Sequence, residues 1–150
     1  MNNKIFSSGD YYNLFYEDKD YQLEAKYIHE KIQEYKLNSN SILELGCGTG
    51  KHAVNLAKFG YKILGIEKSE SMLKKTKNEK NIEFQQGDIR DIKLKNKFDC
   101  VISLFHVISY QISNESLKSV FRTAFNNLKK DGLFIFDFWF GPAVIHQKPL

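Results

Sequence analysis

Residues able to do chemistry gather in four short stretches of this chain, each at the end of an apolar run. The first, residues 41–51, reads SILELGCGTGK, with the acid Glu44 followed by Gly46, Gly48 and Gly50. The second run ends at Glu67, the third at Asp88, and the fourth carries His106 and Tyr110. Glycine has no Cβ and takes positive φ freely, so a strand that breaks into a glycine-rich turn lets a ligand approach the main chain closely. A helix expected from about Lys51 aims its unpaired N–H groups back at that turn. Carboxylates accept hydrogen bonds from hydroxyl and amino groups, and imidazole exchanges protons near neutrality. These residue types describe a cradle for a small molecule.

Spacing narrows the ligand. A dinucleotide fingerprint, G-x-G-x-x-G, needs a third glycine at position 51, which is Lys51. A phosphate-binding P-loop fails at Leu45 and again at His52. What remains is E-x-G-x-G-x-G, whose carboxylate would repel a pyrophosphate and suits a ligand with hydroxyls or a positive amino group. Taken alone, the glycines could simply pack a strand closely on a helix, Glu67 could be a solvated loop acid and Asp88 a turn residue.

Taken in order, Glu44-x-Gly46-x-Gly48-x-Gly50, then Glu67 after YKILGI, then Gly87-Asp88-Ile89 after IEFQQ, the pattern resembles the class I S-adenosylmethionine-dependent methyltransferases. The resemblance implies that Glu67 holds the ribose hydroxyls of the adenosyl group. It also implies that Asp88 meets the adenine amino group, with Ile89 against the ring. Cys47 and Thr49 within the turn, Lys68 and Met72 beyond the second strand, and Leu104 and Phe105 after the fourth complete the expected cofactor site. The N-terminal stretch 10–21, dense in tyrosine, is similar to that of the small-molecule branch containing amino-sugar N-methyltransferases. There Tyr11, Tyr12 and Tyr16 are candidates to hold the methionine end of the cofactor, Tyr16 foremost. The bland alternative is that these rings only cover the top of the sheet.

The elements that must position these residues follow from periodicity. Strands are expected at 41–45, 62–66, 82–86, 98–103 and 132–138, with helices at 51–59, 69–77 and 114–129 between them. Such alternation argues for an α/β, Rossmann-like, doubly wound and mostly parallel sheet. The resemblance implies the strand order 3-2-1-4-5. Residues 1–38 are expected to form a helical arm or lid, with Leu23, Tyr27, Ile28, Lys31 and Ile32 on one apolar face, and residues 39–150 the cofactor-binding core. The helix 114–129 should present Leu117, Val120, Phe121, Ala124, Phe125 and Leu128, capped by Asn114. The family's usual sixth and seventh strands are expected to be missing, so that the core is expected to be a fragment, a truncated reading frame or a chain that must associate. An apolar fifth strand is then left at an edge, where self-association could cover it.

Composition sets the outer bounds. With 150 residues, 42% hydrophobic and 14% aromatic, the chain suits one globular domain. The N-terminus lacks the apolar core of a signal peptide and no run approaches a membrane span, so a cytoplasmic location is expected. Cys47 and Cys100 read as small interior residues, neither a disulfide nor a metal pair, and no metal site is expected. The net charge of +4 is mild and its lysines are interleaved with acids, which makes nucleic acid an unlikely partner.

The segment Ser103–Tyr110 is where a methyl acceptor should meet the donor. His106 could act as a base or orient the acceptor, and Tyr110 could hydrogen-bond to it or line the pocket. A histidine with no proton role is the alternative. The Asp/Asn-Pro-Pro-Tyr/Phe motif of DNA-adenine and protein-glutamine methyltransferases is absent, since the prolines are Pro142 and Pro149. Methyl transfer to a nitrogen or oxygen of a small molecule is the leading expectation. A non-catalytic cofactor-binding fragment or partner subunit is the second, and an NAD-dependent oxidoreductase, disfavoured by Lys51, the third.

Overall fold

The computed structural model describes residues 19–36, 38–139 and 141. Tyr11, Tyr12 and Tyr16, and with them residues 1–18 of the expected arm, lie outside the described residues. Helix α1 spans Tyr21–Tyr35 and starts where the Asp20 carboxylate accepts the Leu23 N–H at 2.8 Å. Then follow β1 (Ser41–Leu45), α2 (Lys51–Ala57), β2 (Lys62–Glu67), α3 (Glu70–Leu73), β3 (Ile82–Gln86) and β4 (Phe98–Ser103). A short 3₁₀ turn (Val107–Tyr110), α4 (Asn114–Asn127) and β5 (Leu128–Phe136) complete the order. Among the described residues the sheet has five strands in the order β3-β2-β1-β4-β5, every pairing parallel.

A parallel sheet needs cover on both faces, and strand parity divides the core accordingly. Ile42, Ile63, Cys100 and Ile102 point toward α1 and α2, where Ala25, Ile28, Ile32, Ala53 and Leu56 meet them. Leu43, Leu45, Ile66 and Val101 point the other way, onto Val120 and Ala124 of α4. Burying each such aliphatic side chain contributes about 1.5–3 kcal/mol, which is what fixes the strand register. At the end of the sheet away from the cleft, Asp99 ties β1 to β4: its Oδ2 accepts the N–H groups of Asn40 and Ser41 at 3.1 and 3.0 Å. Lys129 reaches its Oδ1 at 2.9 Å. Burial alone would raise that carboxyl, but these donors outweigh it and hold it at about 2.

Several expected boundaries shift. The apolar face of α1 is Tyr21, Ala25, Ile28 and Ile32, whereas Leu23 is 63% and Tyr27 57% exposed. The small Ala25 lets α1 approach the sheet on that side, leaving Leu23 and Tyr27 beside a groove with Ile135 and Phe136. The helix expected at 69–77 is only Glu70–Leu73, and that at 51–59 closes at Ala57. Ser113, not Asn114, caps α4, accepting the Ser116 N–H at 3.1 Å, and Phe125 on that helix is 77% exposed. β5 begins at Leu128 because Leu128 itself pairs with Phe98. The turn expected near Gly132 survives as an irregularity in that strand, between Phe98↔Leu128 and Cys100↔Leu133, with Asp131 at φ 59°.

Candidate functional site

The C-terminal ends of β1 to β4 converge on a cleft of about 370 Å³. Gly46, Cys47, Gly48 and Thr49 from the turn after β1 form its floor, with Glu67, Lys68 and Met72 on one side. Asp88 and Ile89 stand beyond them, and Leu104, Phe105 and Tyr110 form the opposite wall. Most residues singled out from the sequence therefore meet at one place. Glu44, Gly50 and His106 do not line it.

The turn after β1 explains what the cleft can hold. Gly46, Gly48 and Gly50 all have positive φ, between 57° and 79°. Its backbone donors are already used: the Gly46 and Cys47 N–H groups reach the Ile66 carbonyl at 2.8 and 3.0 Å, and Gly50 N–H reaches the Cys47 carbonyl at 2.9 Å. Gly48 N–H donates to Glu67 Oε2 at 2.9 Å. Phosphate sites need converging free N–H groups. This turn spends those four on the chain itself and places a carboxylate beside them, which argues against a pyrophosphate.

The two acids on the far side differ in what they have left to offer. A carboxylate has about four lone-pair directions. Glu67 uses Oε2 for Gly48 and Oε1 for the Ser69 N–H at 2.9 Å, so two directions remain. Asp88 is saturated. Its Oδ1 accepts the Arg90 N–H at 3.0 Å and Nε–H at 2.9 Å, while Oδ2 takes Arg90 Nη2 and Lys68 Nζ. The Arg90 hydrogen bond, aided by Lys68, holds its carboxyl far below the usual range.

Glu44 departs furthest from expectation. It shares the parity of Ile42, so it faces α1 and α2 beneath the turn, 1% exposed, with no hydrogen-bond partner at Oε2 among the described residues. Burial, with the Glu67 charge adding to it and His52 opposing, pushes its carboxyl up to about 7. The group between Glu44 and the cleft is His52, which the sequence reading passed over except to exclude a P-loop. Its Nδ1 is 3.7 Å from Glu44, its Nε2 2.7 Å from Glu24 of α1, and the Tyr21 ring meets its own edge-on at 4.9 Å. Lys19 completes the chain at 3.0 Å from Glu24. Burial alone would raise Glu24, but the hydrogen bonds from His52 and Lys19 bring it below its ordinary value. Only the apolar spacing of α1, which brings Glu24 over α2, could have signalled this link. Cys47 is buried among Glu44 and Glu67, and burial first, then those charges, raises its thiol well above the ordinary value, so it is an unreactive wall.

Phe105 and His106 both sit at φ 63°. His106 stands behind the wall that Phe105 and Val107 form, its side chain one-third exposed and its ring 4.8 Å from that of Trp139. Lys19 Nζ lies 3.3 Å from the centre of the Phe105 ring, a cation–π contact joining this wall to the start of α1. Among the described residues no group of acids, histidines and cysteines is arranged to hold a metal, and no helix is long and apolar enough to cross a membrane.

Comparison with known proteins bears on this geometry directly. The chain is 32% identical over 136 residues to dTDP-3-amino-3,4,6-trideoxy-alpha-D-glucopyranose N,N-dimethyltransferase of Streptomyces venezuelae, covering 89% of this chain and 57% of that protein. It is 37% identical over 110 residues to malonyl-[acyl-carrier protein] O-methyltransferase of Bacillus anthracis, covering 69% of this chain and 39% of that one. Among solved structures, Streptomyces venezuelae DesVI superposes with a TM-score of 0.78 at 30% identity, covering 89% of this chain and 58% of the other. The sugar N-methyltransferase KedS8 from Streptoalloteichus superposes at 0.81 with 28% identity, covering 89% and 55%. The chain thus spans little more than half the length of several of these relatives, and less of the O-methyltransferase. A family model described as a methyltransferase domain matches residues 42–132, from the first residues of β1 to the irregularity in β5. With that match spanning more than half of the chain, including the turn and the strands from β1 to β4 with the start of β5, the chain belongs to the methyltransferase-domain family.

Proposed function

We propose that this chain binds S-adenosylmethionine in the cleft and supports transfer of its methyl group to the amino nitrogen of a small molecule of the amino-sugar type. The single observation that carries the reading is the convergence of three strand ends on one cleft, with an under-used carboxylate at Glu67 and a saturated one at Asp88. Two remaining lone pairs on Glu67 match the two hydroxyls of a ribose. Met72, Ile89 and Leu104 offer apolar surface to a flat ring. Asp88 reaches an adenine amino group by exchanging Lys68, whose side chain is 71% exposed and gives way cheaply. The sugar-amine acceptor is supported by the relatives named above: the Streptomyces venezuelae N,N-dimethyltransferase acts on a dTDP-linked amino sugar by its name, and KedS8 is a sugar N-methyltransferase by its title.

When bound, the sulfonium supplies an activated methyl group and an already good leaving group. The protein's contribution is then alignment. Fixing the acceptor opposite sulfur supplies up to about 7–11 kcal/mol relative to free encounter. An amine that accepted the methyl group would give up a proton to its surroundings. Phe105 and Tyr110 shape the acceptor wall, and His106 behind it is the group able to receive that proton. The turn's glycines keep the floor low, and buried Cys47 excludes water without offering a nucleophile.

Isothermal titration tests the reading. S-adenosylhomocysteine is expected to bind and NAD not to; the reverse order would sink the proposal. Release of S-adenosylhomocysteine over a panel of amino sugars, simple amines and hydroxylated analogues then identifies the acceptor atom.

A further inference from the structure

We propose that Asp137 is a positioning residue that sets the His106 segment against the cleft by gripping two successive backbone N–H groups. The inference rests on the reading of that segment as the acceptor side and adds to it the device that shapes it. Asp137 is the first residue past β5, and its own N–H donates to the Ser103 carbonyl at 3.3 Å, continuing the pairing with β4. Its side chain turns toward the neighbouring strand's end. Oδ2 accepts the Phe105 N–H at 2.8 Å and Oδ1 the His106 N–H at 2.5 Å.

Both of those residues lie in the left-handed region, at φ 63°. For non-glycine residues that conformation is disfavoured and persists only where surroundings over-determine it. The carboxylate supplies that constraint, since its two oxygens accept both amides of the left-handed pair. The same Oδ1 lies 3.9 Å from His106 Nδ1, an atom that is buried and has no hydrogen-bond partner among the described residues. One carboxylate therefore faces both the backbone and the ring of His106. A second tie keeps the two loops in step: the Trp139 N–H donates to Ser109 Oγ at 3.0 Å. The result reaches the cleft through Val107, which is packed so close to Gly46 that a Cβ there would lie 2.7 Å from it.

A carboxylate grip and a merely space-filling side chain give opposite answers to Asp137→Asn. Asparagine is nearly the same size but keeps one acceptor oxygen, and its NH₂ would oppose an N–H donor. In NMR exchange measurements, the Phe105 and His106 amides are expected to lose protection at least tenfold in both Asp137→Asn and Asp137→Ala. S-adenosylhomocysteine affinity should stay within threefold of the parent. With an accepted amine, kcat should fall at least tenfold while KM for the donor stays within threefold, and His106→Ala combined with Asp137→Asn should be no slower than His106→Ala alone. Unchanged amide protection in Asp137→Asn, or a loss of affinity as large as the loss of kcat, overturns the proposal. If the parent protein fails to bind S-adenosylhomocysteine, the functional reading falls, while the exchange measurement still decides whether Asp137 holds the two amides.

Discussion

On the β2 side of the cleft, Glu67 takes the N–H groups of Gly48 and Ser69; on the β5 side, Asp137 takes those of Phe105 and His106. Both are carboxylates at a strand end that organise the loop of a neighbouring strand. They differ in what they hold. Glu67 holds a turn whose positive φ values fall on glycines, where they carry little steric penalty. Asp137 holds two residues with side chains, at a penalty of roughly 1–2 kcal/mol each. The first loop would keep its shape without its acid more readily than the second. A floor built from glycine leaves Glu67 free to use its spare lone pairs on a ligand. A wall that carries side chains needs its acid for itself.

The largest break in this comparison is expected where the two loops touch. Gly46→Ala combines φ 79° with a Cβ 2.7 and 2.8 Å from the Val107 methyl carbons. Left-handed strain of about 1–2 kcal/mol and overpacking of about 1–3 kcal/mol together predict a loss of several kcal/mol. Urea unfolding should show the midpoint fall, and S-adenosylhomocysteine titration should weaken by more than tenfold. A variant with the parent midpoint and affinity would mean that the two loops are not mechanically joined.

Next comes the contrast between the open acid and the closed one. Glu67→Ala removes two hydrogen bonds that order the loops as well as the free lone pairs, and should weaken S-adenosylhomocysteine on the order of a hundredfold. Asp88→Ala removes an acid already occupied by Arg90 and Lys68, and should cost no more than about tenfold, because a ligand gains there only by displacing a lysine. Titrating both variants checks the order, and a larger loss at Asp88 would reverse the assignment.

How much of this could be read from the chain depends on which interactions are local in sequence. The five strands follow from apolar runs and the glycine turn, their order from the family resemblance, and the strands expected at 41–45, 82–86 and 98–103 are found there. The apolar run puts Glu44 on its strand, but its burial follows only from the sheet's covered faces. Parity with Ile42 commits it to the α1 face, and in a sheet covered on both sides that means burial. The bridge from His52 to Glu24 and the grip of Asp137 on residue 105 and residue 106 join elements 28 and more residues apart. No spacing rule reports such pairs. They exist because α1 packs on α2 and because β5 lies beside β4.

The burial of Glu44 gives a prediction with a sign. Its folded value, about 7, lies above the ordinary 4.5, so the folded protein holds a proton that the unfolded chain releases between those values. Stability from this group is therefore complete below about pH 4.5 and is lost as pH rises through about 7. Glu44→Gln removes the titration. Relative to the parent, the variant should gain on the order of 2 kcal/mol between pH 5 and pH 8, with its own unpaired amide N–H offsetting part of the gain at every pH. Chemical unfolding of both proteins at the two pH values isolates this effect from Glu24, whose titration is common to both. A difference that does not change with pH would mean that Glu44 titrates in the folded protein as it does in the unfolded chain.

The smallest effect on stability, and the sharpest separation of fold from chemistry, is expected at His106→Gly. Glycine relieves the left-handed penalty of roughly 1–2 kcal/mol but frees the unfolded backbone by about 0.5–1 kcal/mol and gives up the ring contact with Trp139, 4.8 Å away. These terms nearly cancel, so the melting temperature should move by only a few degrees in either direction. The Asp137 grip is on the backbone N–H, which glycine retains, so the amides of residues 105 and 106 should keep their protection. If turnover falls sharply while stability and amide protection hold, the imidazole itself matters to the reaction. If turnover is kept, the loop's shape is what Asp137 preserves, and the wall formed by Phe105 and Tyr110 is sufficient to guide the acceptor.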